Sequence, residues 1–263
     1  MMKRLGLREE DLEDVVYKDQ APPPVEATRW LAIARVHTER EFSDFWFYKN
    51  MCTAWNVAHE VKFRSLEGNR YTIQFACLRD WDKVMEGGPW TFRYHPVLLV
   101  VYDGFMKPSE VELNTFKIWI QIHDLSNGFK PMLEVLAGKV GEVIHVEPTS
   151  GDFSGNFFRT RINLDVRKPL KLVVSMIREK ERQLFLVKYE RLLDCCAFCG
   201  MVGHLSTEHH DGLHPPDSLV FKDVKVDWSI RGESRGRGRG RGRGFGRRNS
   251  MEAYGEGLSP SIS

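Results

Sequence analysis

The sequence predicts an α+β protein, and three observations carry that expectation. Apolar and polar residues alternate at period two in several stretches, most clearly at Phe116, Ile118, Ile120 and Ile122 and at Phe158, Thr160, Ile162, Leu164 and Val166. Other stretches place apolar residues at helical spacing between such runs. Turn formers such as Glu67-Gly68-Asn69 and Gly87-Gly88-Pro89 separate the two kinds. With 42% of its 263 residues hydrophobic, the chain can bury a core as one large domain or two small ones.

Taken in order, residues 1–28 alternate charges and run into Ala-Pro-Pro-Pro, which reads as a disordered, solvated arm with a short helix around Glu9–Tyr17 and a stiff linker. Trp30 to Val36 reads as a strand. Thr38, with Glu41 three residues on, fits a capping box, and the helix behind it places Phe42, Phe45, Trp46 and Cys52 on one side. A hairpin follows: Val61 and Phe63, the turn at 67–69, then Tyr71, Ile73 and Phe75 on one face. Asp80 starts a short helix burying Trp81, Val84 and Met85, stopped by Gly87-Gly88-Pro89, and Val97 to Tyr102 is a strand. The order β-α-β-β-α-β is ferredoxin-like (RRM-like), an arrangement used by many RNA-binding sheets.

Beyond Asp103-Gly104 and Lys107-Pro108 the chain becomes largely β, with no repeat at a short period. Pro131 and Gly141 frame a helix carrying Leu133, Leu136, Ala137 and Val140. Residues 170–177 and 184–190 pair as a hairpin across Arg178–Gln183. The expected organisation is an arm over 1–28, an α+β body over 29–192, a small metal knuckle over 193–214, a linker over 215–230 and a disordered Arg/Gly tail over 231–263.

The longest apolar run, Pro96 to Tyr102, falls far short of the roughly 20 residues that span a bilayer. The N-terminus is too acidic for a secretion signal. A nuclear or cytoplasmic protein, not secreted and without a membrane partner, is therefore expected. Five cysteines do not make a disulfide framework; Cys52 and Cys77, alone in apolar surroundings, read as small core residues. The net charge of +2 is unevenly shared. Beyond Ile230 stand eight arginines and three glutamates, so residues 1–230 lean acidic.

The remaining three cysteines fall within five residues. Cys196-x2-Cys199-x4-His204-x4-His209 turns thiolates and imidazoles toward one tetrahedral ion, a donor set suited to Zn²⁺. Gly200 and Gly203 sit where a tight loop needs bulk-free backbone. The segment is too short for its own core, so the metal would supply its folding free energy, and four protein ligands leave no open catalytic position. His210, His214 and Cys195 compete for places in the set, His209 being the most contestable position. A redox Cys-x-x-Cys and unliganded surface residues are the other readings.

The run KYERLLDCCAFCGMVGHLSTEH, Lys188 to His209, resembles the plant zinc knuckle of pattern C-x2-C-x4-H-x4-C behind its lysine-tyrosine-glutamate-arginine-leucine strand. Gly88-Pro89-Trp90, Trp119-Ile120-Gln121-Ile122 and the stretch from Arg161 to Arg167-Lys168-Pro169-Leu170 resemble the plant domain of unknown function that precedes this knuckle. That family is similar to gag-like first open reading frame proteins of non-LTR retrotransposons, and the resemblance spans about residues 29–209. It implies zinc and nucleic-acid binding and no catalysis. The family's last ligand is cysteine, where this chain has His209.

Together these features lead to an expected non-catalytic, zinc-dependent binder of single-stranded RNA or DNA, with no small-molecule substrate. Phe198 and Met201 are the knuckle side chains spaced to meet a base. Arg235, Arg237, Arg239, Arg241, Arg243, Arg247 and Arg248 of the glycine-arginine tract can contact phosphate or stack on bases. The same tract also reads as a solvated linker or an import signal. Tyr71 and Phe75 invite base stacking but fit a core equally. Arg159, Arg161, Arg167 and Lys168 are a basic edge or a solvated strand face. His123 beside Asp124 suggests acid–base chemistry without any accompanying nucleophile. The alternative function is a self-assembly or protein-interaction module braced by the knuckle.

Overall fold

The computed structural model describes residues 30–147, 157–192 and 194–226. The arm expected over 1–28 and the arginine tail lie outside the described residues. None of the described helices is long and apolar enough to cross a membrane.

The first half is built as β1 (Leu31–Val36), α1 (Asp44–Trp55), β2 (Val61–Leu66), β3 (Arg70–Phe75), α2 (Leu78–Glu86), the short β4 (Thr91–Phe92) and β5 (His95–Val101). The sheet order is β2-β3-β1-β5-β4, with every pairing antiparallel. This is the ferredoxin-like order that the sequence pattern predicts. Gly68 and Asn69 supply the positive φ angles that close the β2–β3 hairpin. Ala32, Ala34 and Val36 alternate onto the face under the helices. There they meet Tyr71, Ile73 and Phe75 of β3 and Phe47, Met51 and Trp55 of α1 in one buried cluster.

Helix α1 departs from expectation in two ways. Thr38 does not cap it. The Thr38 hydroxyl accepts the Arg40 N–H in a local turn at 3.2 Å, and the helix begins after Ser43. The buried stripe is Phe47, Met51 and Trp55 at i, i+4 and i+8, while Phe45 and Trp46 are exposed. A different set of aromatics therefore faces the sheet.

The second half comprises β6 (Thr115–His123), a 3-10 turn over Asn127–Met132 leading into α3 (Leu133–Ala137), β7 (Glu142–Val146), β8 (Phe157–Asp165), β9 (Val173–Arg178), β10 (Glu181–Glu190) and β11 (Lys225–Val226). Its sheet runs β11-β10-β6-β8-β7, with β9 paired to β10. The four main strands, β7-β8-β6-β10, repeat the spatial order β2-β3-β1-β5 of the first half. The second crossover helix is missing, and the extended β9 stands where α2 stood in the chain order. The sequence shows a β-rich half; the repeat is topological and leaves no sequence period.

Ile118 opposite Ile162 and Phe116 opposite Leu164 turn one face of this sheet into a core with Leu133, Leu136 and Ala137 of α3. The helix ends at Ala137, not at Gly141. Gly141 is required for a close approach instead: a Cβ there would lie 2.4 Å from the Asn163 carbonyl oxygen. The β9–β10 turn is two residues, Glu179 and Lys180, both at positive φ, rather than the expected six.

Apolar and polar contacts join the halves. Ile33 and Leu98, on the first sheet's face away from its helices, are fully buried in the second half's core. Lys117 donates to the Met85 carbonyl at 2.9 Å, and Arg161 donates to the carbonyls of Glu86 and Gly87. These cations satisfy carbonyls that the end of α2 leaves unpaired and sit at its negative pole.

Residues 215–226 are not the linker expected. After a 3-10 turn at Pro216–Ser218 the chain returns beside β10, where β11 pairs in parallel and Val224 is buried. Cys52 and Cys77 are half-buried and not core residues.

Candidate metal centre

Strand β10 delivers the chain to Cys195, which bridges Val202 and so closes a loop around residues 196–201. Inside it, Cys196 N–H donates to the Met201 carbonyl at 2.9 Å and Gly200 N–H to the Cys196 carbonyl at 2.8 Å. Cys199 N–H points at Cys196 Sγ, 3.4 Å away. Gly200 and Gly203 have φ of +74° and +105°. A Cβ at Gly200 would come within 2.6 Å of the Phe221 ring, and one at Gly203 within 2.6 Å of the His37 ring. Both glycines are thus held by backbone sign and by space, as their places in the motif predict. A single 3-10 turn, Ser206–Glu208, then brings His209 back, with the Glu208 carboxylate accepting Leu205 N–H at 2.8 Å.

The ligand-capable atoms of Cys196, Cys199, His204 and His209 all lie within 4.8 Å of one another, so these four residues can hold a metal ion. Cys199 Sγ is 3.5 Å from His204 Nε2, which is 3.3 Å from His209 Nδ1. The three competitors are placed otherwise. Cys195 is buried, and that burial pushes its thiol up to about 12. His214 Nε2 faces the carbonyls of Ser206 and His209 at 3.1 and 3.2 Å. His210 stands on the exposed side of His209.

Of the two base-contact candidates, Phe198 is half-buried, its ring stacked on His214 at 4.3 Å. Met201 is half-exposed at the turn. The tail arginines from Arg235 to Arg248 lie outside the described residues.

Other candidates dissolve into structure. Tyr71 and Phe75 face the helices and are buried, with the Tyr71 hydroxyl donating to Asp44 at 2.8 Å. Arg159 is paired with Glu190 at 2.8 Å and lies 3.9 Å over the Trp119 ring. Arg167 and Lys168 both pair with Asp165. With Arg161 on α2, the four do not form one basic edge. His123 sits 3.0 Å from Gln121 Oε1 rather than pairing with Asp124.

A second group, His59, Cys77 and Asp80, went unnoticed in the sequence because 18 residues separate His59 from Cys77. Its Asp80 carboxylate is already occupied, accepting the N–H groups of Ala58 and His59. Cys77 and Asp80 both approach the same imidazole nitrogen, Nδ1, at 3.4 and 3.2 Å. A nucleophile relay needs the two ring nitrogens to face different partners. The group is therefore a clamp on the loop before β2.

Comparison with known proteins bears on the first half. Residues 29–110 match the family model described as "Domain of unknown function (DUF4283)". A DUF4283 domain is thus present. It covers β1 to β5 and the turn beyond, the half whose face away from the helices is closed by Ile33 and Leu98. No curated protein matches the chain. Among solved structures, the chain is similar to the Sex-lethal RNA recognition domains 1 and 2 of Drosophila melanogaster, at 11% identity and a TM-score of 0.21, over 51% of this chain and 85% of that one. It is also similar to the first two RRM domains of the yeast poly(U) binding protein, at 8% identity and a TM-score of 0.21, over 50% and 81%. At such scores the function rests on the chain's own residues.

Proposed function

We propose that this protein is a zinc-dependent, non-catalytic binder of single-stranded nucleic acid, of retroelement origin and gag-like in kind. The observation that carries the reading is the geometry of the Cys196, Cys199, His204 and His209 cluster. Imidazole nitrogens at about 2.05 Å and thiolate sulfur at about 2.3 Å around a tetrahedral Zn²⁺ would lie about 3.3 Å (N to N) and about 3.6 Å (N to S) apart. The separations of 3.3 Å between His204 and His209 and 3.5 Å between Cys199 and His204 fit that figure. The Cys199 N–H directed at Cys196 Sγ fits a thiolate acceptor.

When bound, zinc would fill all four positions with protein ligands and act as a structural brace. The chain's own part is to present Met201 and the edge of Phe198 to unpaired bases. The arginines from Arg235 onward add phosphate contacts that weaken with salt. The DUF4283 domain at 29–110 and the knuckle motif support the retroelement origin. Cys199→Ser should release about one zinc per chain and weaken binding to a short oligouridine by at least about fivefold, the scale of one lost base contact. Loss of zinc with unchanged affinity would move binding to the tail.

One observation favours the second reading, an assembly module. Val173, Ile177, Leu184 and Leu186 are exposed together on one face of the β9–β10 hairpin. Sedimentation of the full chain without nucleic acid separates the two: concentration-dependent dimers abolished by Leu184→Glu support assembly, and a monomer at every concentration refutes it.

A further inference from the structure

Beside the Cys/His turn lies a cleft of about 470 Å³ between the knuckle and the end of the first sheet. Its walls are Arg35, His37, Arg40 and His95 on one side, and His204 and His209 on the other. The volume falls within the roughly 300–1,000 Å³ of ordinary ligand clefts.

The cleft holds one unused cationic donor, Arg35; His37 is bonded to the Val202 backbone and His95 Nδ1 faces the Asp194 carboxylate. Arg35 Nε is a buried donor without a hydrogen-bond partner. Among the described residues, Arg35 makes no side-chain hydrogen bond or ion pair, and the Arg70 guanidinium stands near it. Arg70 is itself committed to the carbonyls of Pro108 and Val111. The nearby carboxylates are spoken for: Glu208 pairs with Arg40 and accepts Leu205 N–H, and Asp194 lies by His95 at 3.5 Å. Glu39 is exposed at the rim. A half-buried guanidinium with no anion leaves its desolvation uncompensated. A phosphate group supplies the matching charge and several acceptor oxygens to a guanidinium fork.

We propose that this cleft binds a phosphate group of the strand engaged by the knuckle, with Arg35 as its principal contact. The inference rests on the nucleic-acid reading above and adds a second, separate contact to it. Gly203 and His37, closely packed on one another, both line this cleft. The strand would pass from the knuckle to the margin of the DUF4283 sheet, where Arg35 shares the face of Ile33 and Leu98 beyond the part they close.

The test uses the full-length, zinc-loaded chain and its Arg35→Gln and Cys199→Ser variants, with a 12-nucleotide oligouridine titrated over a range of salt. Arg35→Gln should keep its zinc, weaken binding about fivefold to tenfold, and flatten the salt dependence by about one ion. Arg35→Lys should recover part of the affinity. Equal affinity and slope for Arg35→Gln and the parent would overturn the proposal. If Cys199→Ser weakens binding while Arg35→Gln does not, the knuckle reading stands and the cleft falls; the reverse result leaves the cleft and removes the knuckle. Inorganic phosphate supplies the last arm. Arg35-dependent phosphate binding with no effect of Arg35→Gln on oligouridine would assign the cleft to a free anion and refute the strand.

Discussion

At the scale of single residues, adjacent cysteines have opposite roles. Cys196 turns its sulfur toward Cys199 and the histidines, while Cys195 points into the core beside Val202 and Leu192. Cys195→Ala should therefore retain about one zinc per chain, and Cys196→Ser should lose it, as metal analysis of the purified variants will show. The spacing Cys-x2-Cys, the two histidines and both glycines were readable from the sequence because a small ion imposes close separations on them. The fate of Cys195 was not, since only the strand pairing decides which of two neighbours faces inward. Arg35 was equally hidden. It interrupts the apolar run Leu31-Ala32-Ile33-Ala34, a signal that a charged group has been drawn toward a buried sheet face, but nothing local says which cleft it lines. The opposite error concerned Arg159 and Arg161, which invite a ligand in the sequence and in the fold serve Glu190 and the end of α2.

At the scale of elements, α1 shows what periodicity can and cannot decide. A helix rich in aromatics was evident; its phase was not, because Thr38 offered a plausible cap that the chain uses for a turn. Trp55→Ala should cost about 3–5 kcal/mol in chemical denaturation, the range for emptying a buried aromatic site. Trp46→Ala, on the exposed side, should change stability by no more than about 0.5 kcal/mol. A larger loss at Trp46 than at Trp55 would mean the helix sits in the phase the sequence suggests. The N-terminus of α2 carries a pH signature. Asp80 is buried and accepts backbone N–H groups from Ala58 and His59, which hold its carboxyl below the ordinary range against the cost of burial. A depressed carboxyl stabilises the fold above its unfolded-state value near 4, and that contribution fades as pH falls through its lower folded value. Stability curves for the parent and Asp80→Asn should thus run apart and parallel from pH 5 to 7 and converge in acid. Curves that stay parallel down to pH 2 would contradict the assignment. The stretch 215–226 was misread for a different reason. Two prolines look like a linker, yet β11 is placed by a non-local partner, β10, and by Val224 entering the core.

At the scale of the whole molecule, two sheets of the same strand order face different duties. The order of the first was readable because helices and strands alternate in hydrophobic period. The order of the second was not, because one of its helices is absent and strand adjacency is a long-range property. Ile33 and Leu98 close the first sheet's free face, so a strand of nucleic acid cannot lie across it in this arrangement. On the proposed reading, binding falls to the knuckle, the cleft beside it and the tail arginines. The knuckle is also bolted to the body, through Gly203 on His37 and Phe221 under Gly200. Gly203→Val should therefore unseat it and lower the protein's melting temperature even with zinc in excess; unchanged melting would show that the knuckle hangs free. The most direct test of the central claim is to strip zinc stepwise from the full-length chain, restore it, and follow oligouridine affinity at fixed salt alongside metal content. Affinity should fall and return in proportion to zinc, saturating at about one ion per chain. Affinity that stays constant while the metal leaves would contradict a zinc-dependent binding site.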